Sequence, residues 1–193
     1  MELQTLSSSI VQNFIPTRKS TSRKGDNGIV LVVGGSYIYH GAPVLSSLAA
    51  LRCGTDLVYT CVPKINVTPT RAISPNLIVI PLVDQKLTLG AVKKLVGALP
   101  RNLHSATIGM GLAIQEKNSL LHLVKSLLDR DVRLSLDASA LIPEVLPILA
   151  HKNVVVTPHA GEFKRLFGDV PSDSNLERIK LVEENALKHG ITI

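Results

Sequence analysis

Four short strings in this sequence carry residue types suited to chemistry at the end of a strand. They are Gly34-Gly35-Ser36, Gly109-Met110-Gly111, Asp137 and Thr157-Pro158-His159. Glycine turns let backbone N–H groups approach an anion. An aspartate at a strand end can hold a water, a ligand hydroxyl or, indirectly, a metal. An imidazole there can donate or accept a proton. Each string also has a plainer use. The glycines can serve tight turns and close helix–sheet packing, and Asp137 can cap the turn after it. His159 can be a helix-start residue bonded to backbone, and Thr157 an N-cap with Pro158 and Glu162 behind it. The other histidines, His40, His104, His122, His151 and His189, show no metal-ligand spacing.

These strings share a site only if the elements before them are parallel strands. Ile29 to Val33 is an unbroken, mostly β-branched run, as in a strand buried on both faces. Gly34-Gly35-Ser36 ends it. Gly41, Ala42 and Pro43 open a helix on which Leu45, Leu48, Ala49 and Arg52 follow at helical spacing. Gly54 closes that helix, and Leu57 to Val62 is the second strand. The stretch after Val62, with Pro63, Pro69 and Pro75, reads as a loop. Further strands are expected at Leu77–Leu82, Ala106–Ile108, Val132–Leu136 and Val154–Val156. Helices are expected at Ser9–Phe14, Leu89–Leu99, Gln115–Leu128, Ile142–Leu149, Gly161–Phe167 and Asn175–His189. The alternation predicts an α/β fold with a largely parallel sheet and right-handed crossovers. All four strings then fall on the carboxyl edge of the sheet, where open α/β folds bind ligands.

Composition narrows the class. With 193 residues, 45% of them hydrophobic, the chain is long and apolar enough for one domain with a core. Residues 1–23 read as a polar, amphipathic lead-in and residues 24–193 as the domain. No apolar run reaches membrane-span length and no secretory signal is visible, so a cytoplasmic protein is expected. Cys53 and Cys61 both sit in apolar elements and are expected to be buried, reduced thiols. The net charge is +6, and Arg18, Lys19, Arg23 and Lys24 crowd before the first strand. With no Trp, three Tyr and three Phe, an aromatic platform for nucleic acid is not expected. Attraction to a phosphate-bearing small ligand suits the charge better.

The strings KGDNGIVLVVGGS, YHGAPVLSSLAALRCGTDLV, IGMGL, LSLDASAL and VVVTPHAGEFKRL occur in this order over residues 24–168. Together they resemble the ADP-dependent NAD(P)H-hydrate dehydratases, whose fold is ribokinase-like: a three-layer α/β/α sandwich. The resemblance implies a repair lyase that removes water from hydrated NADH or NADPH, using ADP (or ATP) and Mg²⁺. The substrate hydroxyl is phosphorylated and phosphate is then eliminated. It implies that Ala42, Gly111 and His159 contact the hydrated nicotinamide nucleotide. It places Gly35, Ser36, Gly109, Asp137 and Glu162 near phosphate and Mg²⁺, Glu162 acting through metal-bound water. It also implies a homo-oligomer, a tetramer.

The sequence departs from the family pattern at Met110, Ser139 and Ala160, where Pro, Asp and Pro are usual. The family's LKG…T and GTGD segments, the second carrying the catalytic Asp, would lie beyond Ile193. By that reading the 193 residues alone are inactive as a dehydratase and marginally stable. Two alternatives stay open: a ribokinase-like kinase for a small alcohol, and a non-catalytic nucleotide-binding or interface remnant.

Overall fold

The apolar run at Ile29–Val33 forms β1, a central strand of a six-stranded, wholly parallel sheet. The computed structural model describes residues 5–15, 17–170 and 174–193; residues 1–4 and 16 of the lead-in lie outside the described residues. The strands are β1, β2 (Leu57–Pro63), β3 (Leu77–Leu82), β4 (Ser105–Ile108), β5 (Arg133–Leu136) and β6 (Val154–Val156). Their order is β3-β2-β1-β4-β5-β6. The chain winds outward from β1 through β2 to β3, then returns to the other side of β1 and winds away through β4, β5 and β6. The order reverses between β1 and β4, which is the switch point where such sheets open a crevice. Beyond β6, Thr192 makes one parallel bridge to Val155.

Side chains alternate between two faces, as the period of a strand requires. Ile29, Leu31 and Val33 enter the larger core with Ala106, Ile108, Leu134 and Leu136. That core is closed by α4 (Leu89–Ala98) through Val92 and Leu95, and by α5 (Lys117–Leu128) through Leu120, Leu123 and Leu127. Val32, Val58, Val62, Leu77 and Val79 form the smaller core on the other face, under α2 (Gly41–Arg52) and α3 (Val67–Ile73). Helices on both faces make the sheet the middle of three layers, the expected α/β class. The remaining helices are α1 (Ser8–Phe14), α6 (Leu146–Leu149), α7 (Ala160–Phe167) and α8 (Asn175–His189). None of the described helices is long and apolar enough to cross a membrane.

Three expectations are corrected. The proline-rich stretch after β2 is a 3₁₀ turn, Lys64–Asn66, running into α3. Pro69 falls in the first turn of α3, where a missing N–H breaks no helical bond. On α2 the buried residues are Pro43, Val44 and Ser47, and Leu45, from the expected apolar set, is 70% exposed. Pro43 seats that helix tightly under the first glycine turn, and Ser47 donates to the Pro43 carbonyl and bonds the Thr60 hydroxyl at 2.8 Å. Cys53 is exposed, because it caps the end of α2 rather than lying within it. Cys61 is buried in β2 as expected, and burial pushes its thiol pKa far up.

Candidate active site

The two strands flanking the switch point both end in glycine turns, and the turns pack on each other. The Gly35 N–H donates to the Met110 carbonyl at 2.9 Å. A Cβ on Gly34 would come within 2.7 Å of that same carbonyl oxygen. Gly109 has φ +121°, and a Cβ there would overlap the Asp137 carbonyl oxygen. Gly111 has φ +65°, and a Cβ would stand 2.7 Å from the Tyr39 Cβ. These glycines are therefore required by packing, and the plainer reading of them is correct as far as it goes. Their effect is to bring the two turns and the Asp137 corner together with little between them.

Beside this junction opens a cleft of ≈ 460 Å³ lined by Ser36, Tyr39, Gly111, Leu112, Ala138 and Ser139, with Ala113. Ser36 is held by a reciprocal turn: its N–H donates to the Tyr39 carbonyl at 2.8 Å, and the Tyr39 N–H donates to its hydroxyl at 3.1 Å. Asn66, 4% exposed, donates from Nδ2 to the Ser36 carbonyl at 2.8 Å. Ala42 lies in the first turn of α2, packed against the smaller core that holds Met110. Gly35, Ser36, Gly109, Gly111 and Asp137 are thus brought to one junction, with Ala42 just behind it.

Asp137 ends β5 and does not cap the turn after it with its side chain. Its Oδ1 accepts from the Thr157 hydroxyl at 2.9 Å, and Oδ2 accepts nothing from the described residues. Thr157 is therefore no N-cap; it ties the end of β6 to the end of β5. The N-cap of α7 is His159. Its Nδ1 accepts from the Gly161 and Glu162 N–H groups at 3.1 and 3.4 Å, while Glu162 Oε2 accepts from the His159 N–H at 3.0 Å. Nδ1 as acceptor leaves the proton of a neutral ring on Nε2, which faces Glu162 Oε1 at 3.3 Å. Glu162 is 12% exposed with both oxygens engaged, whereas the His159 side chain is 72% exposed. All the bonds His159 makes are those of a cap, with its ring edge left open to solvent.

Sequence reasoning missed Asn66, hidden in a stretch read as loop, and Arg165, which reaches from α7 to the carbonyls of Ala138 and Leu141 at 2.9 Å each. The only signal for Arg165 was its place one turn beyond Glu162. The described residues contain no group of three His, Cys, Asp or Glu side chains placed to hold a metal. A larger cavity, ≈ 1060 Å³, lies at the opposite, amino edge of the sheet, lined by Arg18, Lys19, Asn27, His104 and Arg133 among others. It faces no strand end of the kind that carries ligands in this architecture.

A family model described as NAD(P)H-hydrate dehydratase matches residues 30–193. This chain belongs to that family. The ADP-dependent (S)-NAD(P)H-hydrate dehydratase of Nitrosopumilus maritimus is 81% identical along all 193 residues, which cover 67% of that protein. The enzyme of the same name from Cenarchaeum symbiosum is 63% identical over 95% of this chain and 64% of its own. The chain thus spans about two thirds of the length of these NAD(P)H-hydrate dehydratases. Among solved structures, the ADP/ATP-dependent NAD(P)H-hydrate dehydratase of Bacillus subtilis, co-crystallised with ATP/Mg²⁺, superimposes with a TM-score of 0.77 at 25% identity. That match covers 96% of this chain and 63% of the other. A ribokinase-like superfamily protein from Enterococcus faecalis gives a TM-score of 0.73 at 23% identity over 99% of this chain and 67% of its own, which shows the ribokinase-like fold.

Proposed function

We propose that the carboxyl-edge cleft takes hydrated NADH or NADPH, and that these residues, joined to the family's LKG…T and GTGD segments, act as an ADP-dependent NAD(P)H-hydrate dehydratase, the 193 residues alone being inactive. The observation that carries this reading is the junction of Gly35, Gly109 and Gly111 with Asp137 at the switch point, in a chain 81% identical to an enzyme of that name. Hydroxide is a poor leaving group. Transfer of a phosphoryl group from ADP to the hydrate's hydroxyl leaves AMP and turns that oxygen into phosphate. Loss of phosphate and a ring proton then restores the double bond of NAD(P)H. The chain's own residues position rather than bond: Ala42, Gly111 and His159 line the nicotinamide side, and Gly35, Ser36 and Gly109 present turn backbone to phosphate.

Mg²⁺ neutralises phosphate charge in such transfers. Asp137 fits as its protein partner, because Oδ2 is open, and Mg²⁺ commonly takes one carboxylate and otherwise phosphates and waters. Glu162 fits less well while its oxygens serve the His159 cap, so a role through bound water requires that cap to open. The names of the Nitrosopumilus maritimus and Cenarchaeum symbiosum relatives favour this reading over a small-alcohol kinase. Cytoplasmic location and a homotetramer complete the proposal. Exposed Tyr37, Ile38 and Leu45 supply apolar surface for self-association.

The test is ADP-dependent return of hydrated NADH to NADH, followed by its absorbance, by a chain that carries the LKG…T and GTGD segments as well, together with calorimetric titration of both ligands. Turnover that needs ADP supports the proposal. Failure of the folded protein to bind either hydrated NADH or ADP contradicts it.

A further inference from the structure

Arg165 lies on α7 with a flexible stem, yet its guanidinium is spent on two backbone carbonyls of another element. Nε donates to the Leu141 carbonyl and Nη2 to the Ala138 carbonyl, each at 2.9 Å. Ala138 follows Asp137 and has φ +48°, the left-handed region that residues with a Cβ avoid. Such strain persists where the surroundings over-determine it, and it gathers at functional sites. Here the surroundings can be named. The peptide joining Ala138 to Ser139 is gripped at both ends: its carbonyl accepts from Arg165, and its N–H, that of Ser139, donates to the Gly109 carbonyl at 3.4 Å. Next to it the Leu141 N–H donates to the same Ala138 carbonyl at 3.1 Å. Ala138 and Ser139 both line the cleft.

We infer that Arg165 is a positioning residue: it locks the Ala138–Ser139 peptide, and through it the wall of the cleft beside Asp137. This rests on the proposed function only for what the cleft binds; the lock itself is a property of the fold. Without the guanidinium the Ala138 carbonyl keeps only the Leu141 N–H, and the strained peptide loses its one side-chain hold. Lysine keeps the charge but offers one point of attachment where the planar fork serves two carbonyls.

The test compares Arg165→Met, Arg165→Lys, Ala138→Gly and the Arg165→Met/Ala138→Gly pair, by residue-resolved hydrogen exchange and by NADPH titration. Arg165→Met is expected to melt cooperatively, to lose exchange protection at Ser139 and Leu141 while strands β1 and β4 keep theirs, and to bind NADPH about ten-fold more weakly. Arg165→Lys should fall between Met and wild type. Glycine accepts φ +48° without strain, so the pair should recover part of the affinity that Arg165→Met loses. Uniform loss of protection across the sheet, or unchanged protection at Ser139 and Leu141, would overturn the inference. Absence of NADPH binding by the wild type would instead count against the proposed function, leaving the exchange data to decide the lock.

Discussion

Two aspartates stand at opposite edges of the same sheet, and their surroundings differ in kind. Asp56, just before β2 at the amino edge, has a side chain only 7% exposed. It accepts from the Gly25 N–H at 2.9 Å, the Asn27 N–H at 3.0 Å and Asn27 Nδ2 at 3.1 Å, and it pairs with Arg18. Its carboxylate is saturated, and what it organises is the turn that feeds β1. Asp137, at the carboxyl edge, has one side-chain donor, Thr157, and one oxygen without a partner among the described residues. Its backbone, by contrast, is held on both sides: the N–H donates to the Ile108 carbonyl and the carbonyl accepts from the Ala140 N–H, each at 3.0 Å, while Arg165 grips the next residue, Ala138. The difference separates an acid that stabilises from an acid that is presented. In the first, the carboxylate is satisfied by protein. In the second, the protein fixes the main chain and leaves the carboxylate for something else.

Three substitutions would break or sharpen that contrast. The largest effect is expected from Gly109→Ala. The new Cβ would overlap the Asp137 carbonyl oxygen, and the φ of +121° is itself hostile to a side chain. One of the two strand ends must move. Thermal or urea unfolding should show a loss of about 3 kcal/mol or more, with the Asp137 corner displaced. A fully stable variant would mean that the corner is more yielding than its packing indicates. Next comes Asp56→Asn, which turns one acceptor oxygen into a donor facing N–H groups already there. A loss of about 3 kcal/mol is expected by urea unfolding, from breaking charged hydrogen bonds in a buried cluster. Affinity for NADPH in the remaining folded protein should be unchanged. The smallest effect on stability is that of Asp137→Asn, within about 0.5 kcal/mol, since the side chain has one partner and part exposure. Its effect should appear in titrations with ADP: weaker binding with Mg²⁺ present, and no weakening in chelator, where the lost negative charge no longer serves a cation.

How much of this was legible in the sequence follows from how local each signal is. Strands such as Ile29–Val33 and Val154–Val156 announce themselves by composition, and glycine or proline ends them within a residue or two. The four strand ends were therefore readable, and parallel topology then placed them on one edge. Asp56 was not readable as a hub. It sits after Gly54 and Thr55, like any turn residue, and its partners Gly25, Asn27 and Arg18 are distant in sequence. The helix Val67–Ile73 was hidden because Pro69 breaks nothing in a first turn. The face of α2 was misjudged because Pro43 and Ser47, not Leu45, meet the sheet. The resemblance gave His159 and Glu162 ligand roles, whereas the plainer reading of His159 as a helix-start residue bonded to backbone is the one its capping box with Glu162 bears out. Arg165 could be found only once α7 and the Asp137 corner were seen side by side.

The proposed function needs the nicotinamide nucleotide to bind at the carboxyl-edge junction and not in the amino-edge cavity. The most direct measurement is titration of the isotope-labelled protein with intact NADPH, followed by amide chemical shifts. Shifts are expected to concentrate at Ser36, Tyr39, Gly111, Ala138, Ser139 and His159, with Asn27, His104 and Arg133 still. Saturable shifts centred on Arg18, Asn27, His104 and Arg133, with the glycine turns silent, would contradict it and move the site to the larger cavity at the other edge of the sheet.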